Sequence, residues 1–223
     1  MYYSHIFIDP NDEDRVYELA TDSYVSRDGG RTFTEIARRP TYDVGMHADH
    51  HSLWIDPNDS EHLYLAGDAG LHESYDGGTN FQRINNFPIA QFYALAVDMR
   101  DPYWVYGGLQ DNHSFMGPSQ TRRWAGILND DWMQSGFGDG MYQQVDPTNH
   151  RYVYANSNGG GYYRMDPETG DMLDIRPRAP EGEEAYRWDW VSPSLVSVHD
   201  PSVVYLGGNR LFISGDHAES WTR

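Results

Sequence analysis

Short apolar runs, each closed by a cluster of Asn, Asp, Gly or Pro, follow one another along the whole chain. No stretch repeats its apolar residues every three to four positions over helical length, so the pattern predicts strands and tight turns rather than helices. The runs keep a clock. A hydrophobic residue followed by Tyr closes a run at Val16-Tyr17, Leu63-Tyr64, Val105-Tyr106, Val153-Tyr154 and Val204-Tyr205, with the tyrosines 47, 42, 48 and 51 residues apart. Ahead of them stand aliphatic stretches ending in Asp: FIDP (7–10), WIDP (54–57), AVD (96–98), QVDP (144–147) and, offset by one residue, SVHDP (197–201).

An octapeptide keeps the same time. SRDGGRTF (26–33), SYDGGTNF (74–81) and a worn SGDHAESW (214–221) all read Ser-x-Asp-x-x-x-x-aromatic. The two units without it carry other turns near the expected places, GPSQT (117–121) and DPETG (166–170). A self-similar period of this length indicates stacked supersecondary units. Each unit reads as four short antiparallel strands. In the second, these are HHSLWID (50–56), HLYLAG (62–67), LHESYD (71–76) and NFQRI (80–84). The innermost strand is apolar on both alternating faces in most units, as in FYALAV (92–97), which predicts cover on both sides. Repeated four-stranded units buried on both faces predict an all-β fold, a β-propeller of about five blades: 1–40, 41–88, 89–128, 129–178 and an incomplete 179–223, together one propeller region.

Composition narrows the setting. An aromatic content of 14% suits pleated surfaces on which flat rings pack. A formal net charge of −18 without a basic block disfavours nucleic acid and anionic membranes as partners. No apolar run is long enough to span a bilayer, and MYYSHIFIDP lacks a signal-peptide pattern. The absence of Cys removes thiol chemistry and disulfides. No phosphate loop, Gly-x-Ser-x-Gly elbow or dinucleotide fingerprint is present, and no cofactor is implied.

The octapeptide resembles the Asp-box, or BNR, repeat of sialidases, of two-propeller xyloglucan-cleaving hydrolases and of the sortilin ectodomain. HADHHSLWIDP (47–57), YGGLQDNHSFMGP (106–118), GDGMYQQVDP (138–147) and YLGGNRLFISGD (205–216) resemble a group of large bacterial proteins described as sortilin-like or glycosyl hydrolase BNR-repeat proteins. His113 stands where that group has Gly, and the last box lacks both glycines. The resemblance implies a ring of seven or more blades, so this chain is expected to be a piece of a longer one that supplies the remaining blades. It also implies export to the periplasm or outside the cell.

Strand parity sorts the loops onto two rims. The strand 1–2 turns share one rim with the octapeptides, whose Asp28, Asp76 and Asp216 read as structural turn-formers. The other rim collects the connections into each blade and the strand 2–3 loops. These carry His47, Asp49, His50 and His51; Gln110, Asp111 and Asn112; Trp132 and Asp139; Arg187 and Trp188; and Asn209 and Arg210. Carboxylates, amides, Arg and Trp in one concavity suit a carbohydrate, whose apolar faces stack on Trp and whose hydroxyls pair with polar groups. Asp49 and Asp139 stand at equivalent entries two blades apart and are the candidate acid and base, with Asp111 in reserve, because glycoside hydrolysis needs two carboxylates. In an extended HADHH, His47, Asp49 and His51 share one side and His50 faces the other. That set is metal-compatible, but its spacing is no established metal motif, and a His–Asp hydrogen-bond network without metal is the favoured reading. The alternative function is a sortilin-like propeller that binds a peptide or protein on this rim without catalysis.

Overall fold

The computed structural model describes residues 4–37, 46–68, 70–84, 86–87 and 89–223. The Met1 start of the first strand, the blade boundary at 40 and 41, and Pro88 at the end of the second predicted blade lie outside them. The chain forms two compact units, Met1–Ile89 and Ala90–Arg223.

The first unit holds two four-stranded antiparallel sheets, each in sequential order. One comprises β1 (His5–Asp9), β2 (Asp12–Leu19), β3 (Ser23–Ser26) and β4 (Thr34–Ile36). The other comprises β5 (His50–Asp56), β6 (Asp59–Gly67), β7 (Gly70–Ser74) and β8 (Gln82–Ile84). Tyr17, Leu19 and Val25 of the first sheet share one core with Leu53, Ile55, Leu63 and Leu65 of the second. Alternation along each strand sends these residues to the facing sides.

The second unit holds three sheets. The first runs β9 (Phe92–Val97), β10 (Trp104–Leu109), β11 (Ser114–Pro118) and β12 (Met133–Gly136). The next runs β13 (Gly140–Val145), β14 (Val153–Ser157), β15 (Gly161–Met165) and β16 (Met172–Asp174). The last has three strands, β17 (Ser194–Val196), β18 (Val204–Gly207) and β19 (Leu211–Ser214), with a single bridge from Ile213 to Thr222 in the place of a fourth. Tyr106 and Met116 pack against Val153 and Met165, and Tyr154 and Tyr162 against Val204, Leu206 and Phe212. Three of the clock tyrosines, Tyr17, Tyr106 and Tyr154, are thus buried in the seam with the next blade, whereas Tyr64 and Tyr205 are half-buried. The architecture is all-β, five propeller blades of sequential antiparallel strands.

Two expectations need correction. FYALAV is not covered on both sides, because Phe92, Leu95 and Val97 are exposed. The third blade does not end at residue 128: β12 pairs with β11, so the blade runs to Gly136 and the connection between its third and fourth strands spans 119–132.

The octapeptides close their turns alike. Asp28 accepts the hydroxyl of Ser26 and the amides of Arg31 and Thr32; Asp76 accepts Ser74 and Asn80; Asp216 accepts Ser214 and Ser220. The residue after each of these Asp, Gly29, Gly77 or His217, donates its amide to a carbonyl near the start of the second strand of its own blade, that of Asp14, Glu61 or Ser202. His217 and Ala218 adopt the same positive φ, 56° and 67°, as the glycine pairs they replace.

Candidate functional site

One hydrogen bond recurs at the entries of the blades. The carbonyl of the residue preceding an innermost strand accepts the amide of a residue 19 positions on, in the strand 2–3 loop of the same blade. Asp49 accepts from Asp68 at 3.2 Å, Gln91 from Gln110 at 3.0 Å and Asp139 from Asn158 at 3.0 Å. Asp49 and Asp139 therefore occupy equivalent places in their blades, with Gln91 as the intervening member. Asp68 and Asn158 hold the entry residues of their own blades and escaped the sequence reading as turn residues. The constant offset of 19 from the entry residue was the signal that locates them.

In the first unit, Asp49 donates its amide to Thr21 and His50 donates its own to Ala20, which stitches the second blade's entry to the strand 2–3 loop of the first. Asp49 has φ 70°, so HADHH is not extended throughout and the simple side-to-side alternation breaks there. His47 contacts the carbonyl of Ala48 through Nδ1, and His51 Nε2 lies 2.7 Å from Asp68 Oδ1. His50 is buried at 3% exposure, with Nδ1 2.7 Å from the Ser23 hydroxyl. Burial, and secondarily the neighbouring His72, pushes the His50 imidazole down to about 4.

In the second unit, two candidate carboxylates share one amide. Asn112 Nδ2 donates to Asp139 Oδ1 at 3.0 Å and lies 3.3 Å from Asp111 Oδ1. Asp139 Oδ1 also accepts the backbone amide of Asp111 at 3.3 Å, and Asp139 is only 7% exposed. Asp111 and His113 both have positive φ, 51° and 80°. Non-glycine residues in that region carry strain of order 1 kcal/mol or more and concentrate at functional sites. Gln110 is held by Gln91, whose side-chain amide donates to Gln110 Oε1 at 2.8 Å.

Further along the same unit, Arg187 and Asn209 exchange bonds: the Arg187 amide donates to Asn209 Oδ1 at 3.1 Å, and the Asn209 amide to the Arg187 carbonyl at 2.9 Å. They line a cavity of about 450 Å³ with Trp188, Ser192 and Gly208. Arg210 is exposed beside them, and its carbonyl accepts the Gly208 amide. Trp188 is a wedge between blades. A Cβ on Gly160 would stand 2.3 Å from its Cγ, and one on Gly208 2.9 Å from its Cε3. Its ring stacks on Phe212 at 5.3 Å and lies edge to face with Tyr162.

Trp132 is not on this rim. It precedes β12 and lies over Gly117, at the end of β11 remote from the strand 2–3 loop, where a Cβ would stand 2.8 Å from the indole. The reason is the moved boundary: DDW belongs to the strand 3–4 connection of the third blade, which parity assigns to the octapeptide rim.

No family model matches the chain. It is 30% identical over 112 residues to an oligoxyloglucan-reducing end-specific xyloglucanase of Emericella nidulans, an alignment covering 45% of this chain and 13% of that protein. Among solved structures it is similar to the GH74 xyloglucanase of Xanthomonas campestris, at 19% identity and a TM-score of 0.40, over 97% of this chain and 37% of that one. It is also similar to YCF48 bound to D1 peptide, at 14% identity and a TM-score of 0.37, over 94% of this chain and 63% of the other. The chain thus spans only a small part of the curated relative and little more than a third of the xyloglucanase structure.

Proposed function

We propose that this chain is part of a carbohydrate-active propeller of the Asp-box, or BNR, repeat kind, which binds a polysaccharide on the entry rim and hydrolyses it with paired carboxylates. The observation that carries the reading is the Asn112 amide shared by Asp111 and Asp139. Two bonds to one nitrogen hold the accepting oxygens no more than about 6 Å apart, a bound that admits the separation of roughly 5–5.5 Å at which one carboxyl acts as acid and the other as nucleophile. Asp111 and Asp139 are therefore the first pair to test, ahead of Asp49 with Asp139. Local similarity to a xyloglucanase supports a β-glucan as substrate class. Gln110, Arg187, Asn209 and Arg210 of the same unit are the further polar candidates for contact with the sugar.

The test is a hydrolysis screen on xyloglucan and other soluble glycans, with wild type, Asp139→Asn and Asp111→Asn, in the presence and absence of chelator. The reading expects product from wild type in both conditions, loss of turnover by at least a hundredfold in either variant, and retained glycan binding. Absence of both turnover and binding on every glycan would favour the peptide-binding alternative.

A further inference from the structure

We infer that Trp190, a residue outside the polar cluster, is the sugar-stacking platform of this rim. The inference rests on the carbohydrate reading above and assigns the surface on which the chain of sugars lies. A stacking platform needs an exposed indole face and a backbone that does not move when the ligand arrives. Trp188 fails the first condition, because Phe212, Tyr162 and the Arg176 guanidinium, 5.4 Å from its ring centroid, already surround it. Trp132 lies at the other end of its blade. Trp190 is 54% exposed.

The loop that carries Trp190 is pinned at every residue that matters. The Trp190 amide donates to Asp189 Oδ1 at 2.7 Å, and the Ser192 hydroxyl donates to the Asp189 carbonyl at 3.0 Å. The Ser192 carbonyl accepts Asn156 Nδ2 at 2.6 Å, with both residues 1% exposed. The Pro193 carbonyl accepts the Gly207 amide at 3.0 Å and the Tyr162 hydroxyl at 3.1 Å. A tryptophan more than half exposed on so constrained a loop presents ring surface from a fixed backbone, which is what a preorganised binding surface requires.

Its position connects it to the carboxylates. The Trp190 carbonyl accepts the Gly159 amide at 3.2 Å, and Gly159 follows Asn158, whose Oδ1 accepts the Asp139 amide at 3.2 Å. Asp139 and Trp190 are therefore each one hydrogen bond from consecutive residues, which puts their backbones on the order of 10 Å apart. A glycan stacked on Trp190 delivers an adjacent sugar to Asp139.

The experiment measures binding of soluble xyloglucan and of cello-oligosaccharides to wild type, Trp190→Ala, Trp190→Phe and Trp188→Ala, alongside thermal melting. Trp190→Ala is expected to weaken binding at least tenfold with an unchanged melting temperature, and Trp190→Phe to restore most of it. Trp188→Ala is expected to lower the melting temperature by several degrees. If wild type binds and Trp190→Ala binds equally well, the platform assignment is wrong while the carbohydrate reading stands. If wild type binds none of these probes, the carbohydrate reading fails and the platform with it.

Discussion

Asn158 grips Asp139 from two directions: its amide donates to the Asp139 carbonyl at 3.0 Å, and its side-chain Oδ1 accepts the Asp139 amide at 3.2 Å. Removing the side chain strands the Asp139 amide and frees the entry residue to turn. Asn158→Ala is expected to destabilise the fold by about 1–2 kcal/mol, the cost of an unmade bond to a partly buried donor. Asn158→Asp keeps an acceptor and is expected to retain more of the stability. Urea denaturation of the two variants checks this; equal stability to wild type for Asn158→Ala would show that the bond contributes nothing.

Stability is expected to fall with acid in two windows. The folded His50 imidazole lies near 4, below its unfolded value of about 6.5, so the neutral ring favours the native state. That contribution is complete above pH about 6.5 and is lost as pH falls through 4, on the order of 3 kcal/mol in all. His50→Gln should flatten the curve in this window, and an unchanged slope in that variant would refute the assignment. The second window belongs to the octapeptides. The Ser220 hydroxyl, with Ser214 and a backbone amide, pushes Asp216 down to about 2, and bonds from Thr32 and Asn80 lower Asp28 and Asp76. These folded values lie below the unfolded one, so their stabilisation is present above pH about 4 and disappears as pH drops toward 2.

Gly170 and Gly160 offer a matched pair, both at φ 77° in the fourth blade. A Cβ on Gly170 meets nothing within 4 Å, so Gly170→Ala should cost only the left-handed backbone, about 1–2 kcal/mol. A Cβ on Gly160 would stand 2.3 Å from Cγ and 2.6 Å from Cβ of Trp188, neither of which can move without lifting the whole ring. Gly160→Ala should therefore cost a further 1–3 kcal/mol or so through overpacking. Chemical denaturation of both variants decides the matter, and equal effects would contradict the wedge role of Trp188.

Much of the fold was legible in the pattern because the turn chemistry and the strand period agree. HHSLWID is β5 residue for residue, and the seam tyrosines sit where the clock puts them. The third blade was misread where the octapeptide is missing: the connection 119–132 hid the strand 3–4 turn, so MQSG looked like part of an entry and Trp132 went to the wrong rim. Two-sided apolarity in FYALAV could not reveal that Leu95 and Val97 stay exposed. At the site, residue type pointed to Asp111, Asn112 and Asp139, but the amide that joins them depends on left-handed backbone at Asp111, which no spacing rule foresees. The roles of Asp68 and Asn158 lay in a 19-residue offset that becomes meaningful only once the strands are paired.

The most direct measurement is a crystal structure of the chain with a bound xyloglucan oligosaccharide. The account predicts sugar density on the entry rim, with a ring against Trp190 and a glycosidic oxygen within hydrogen-bond reach of Asp111 or Asp139. Density confined to the octapeptide rim around Asp28, Asp76 or Asp216, or none at saturating ligand, would contradict it.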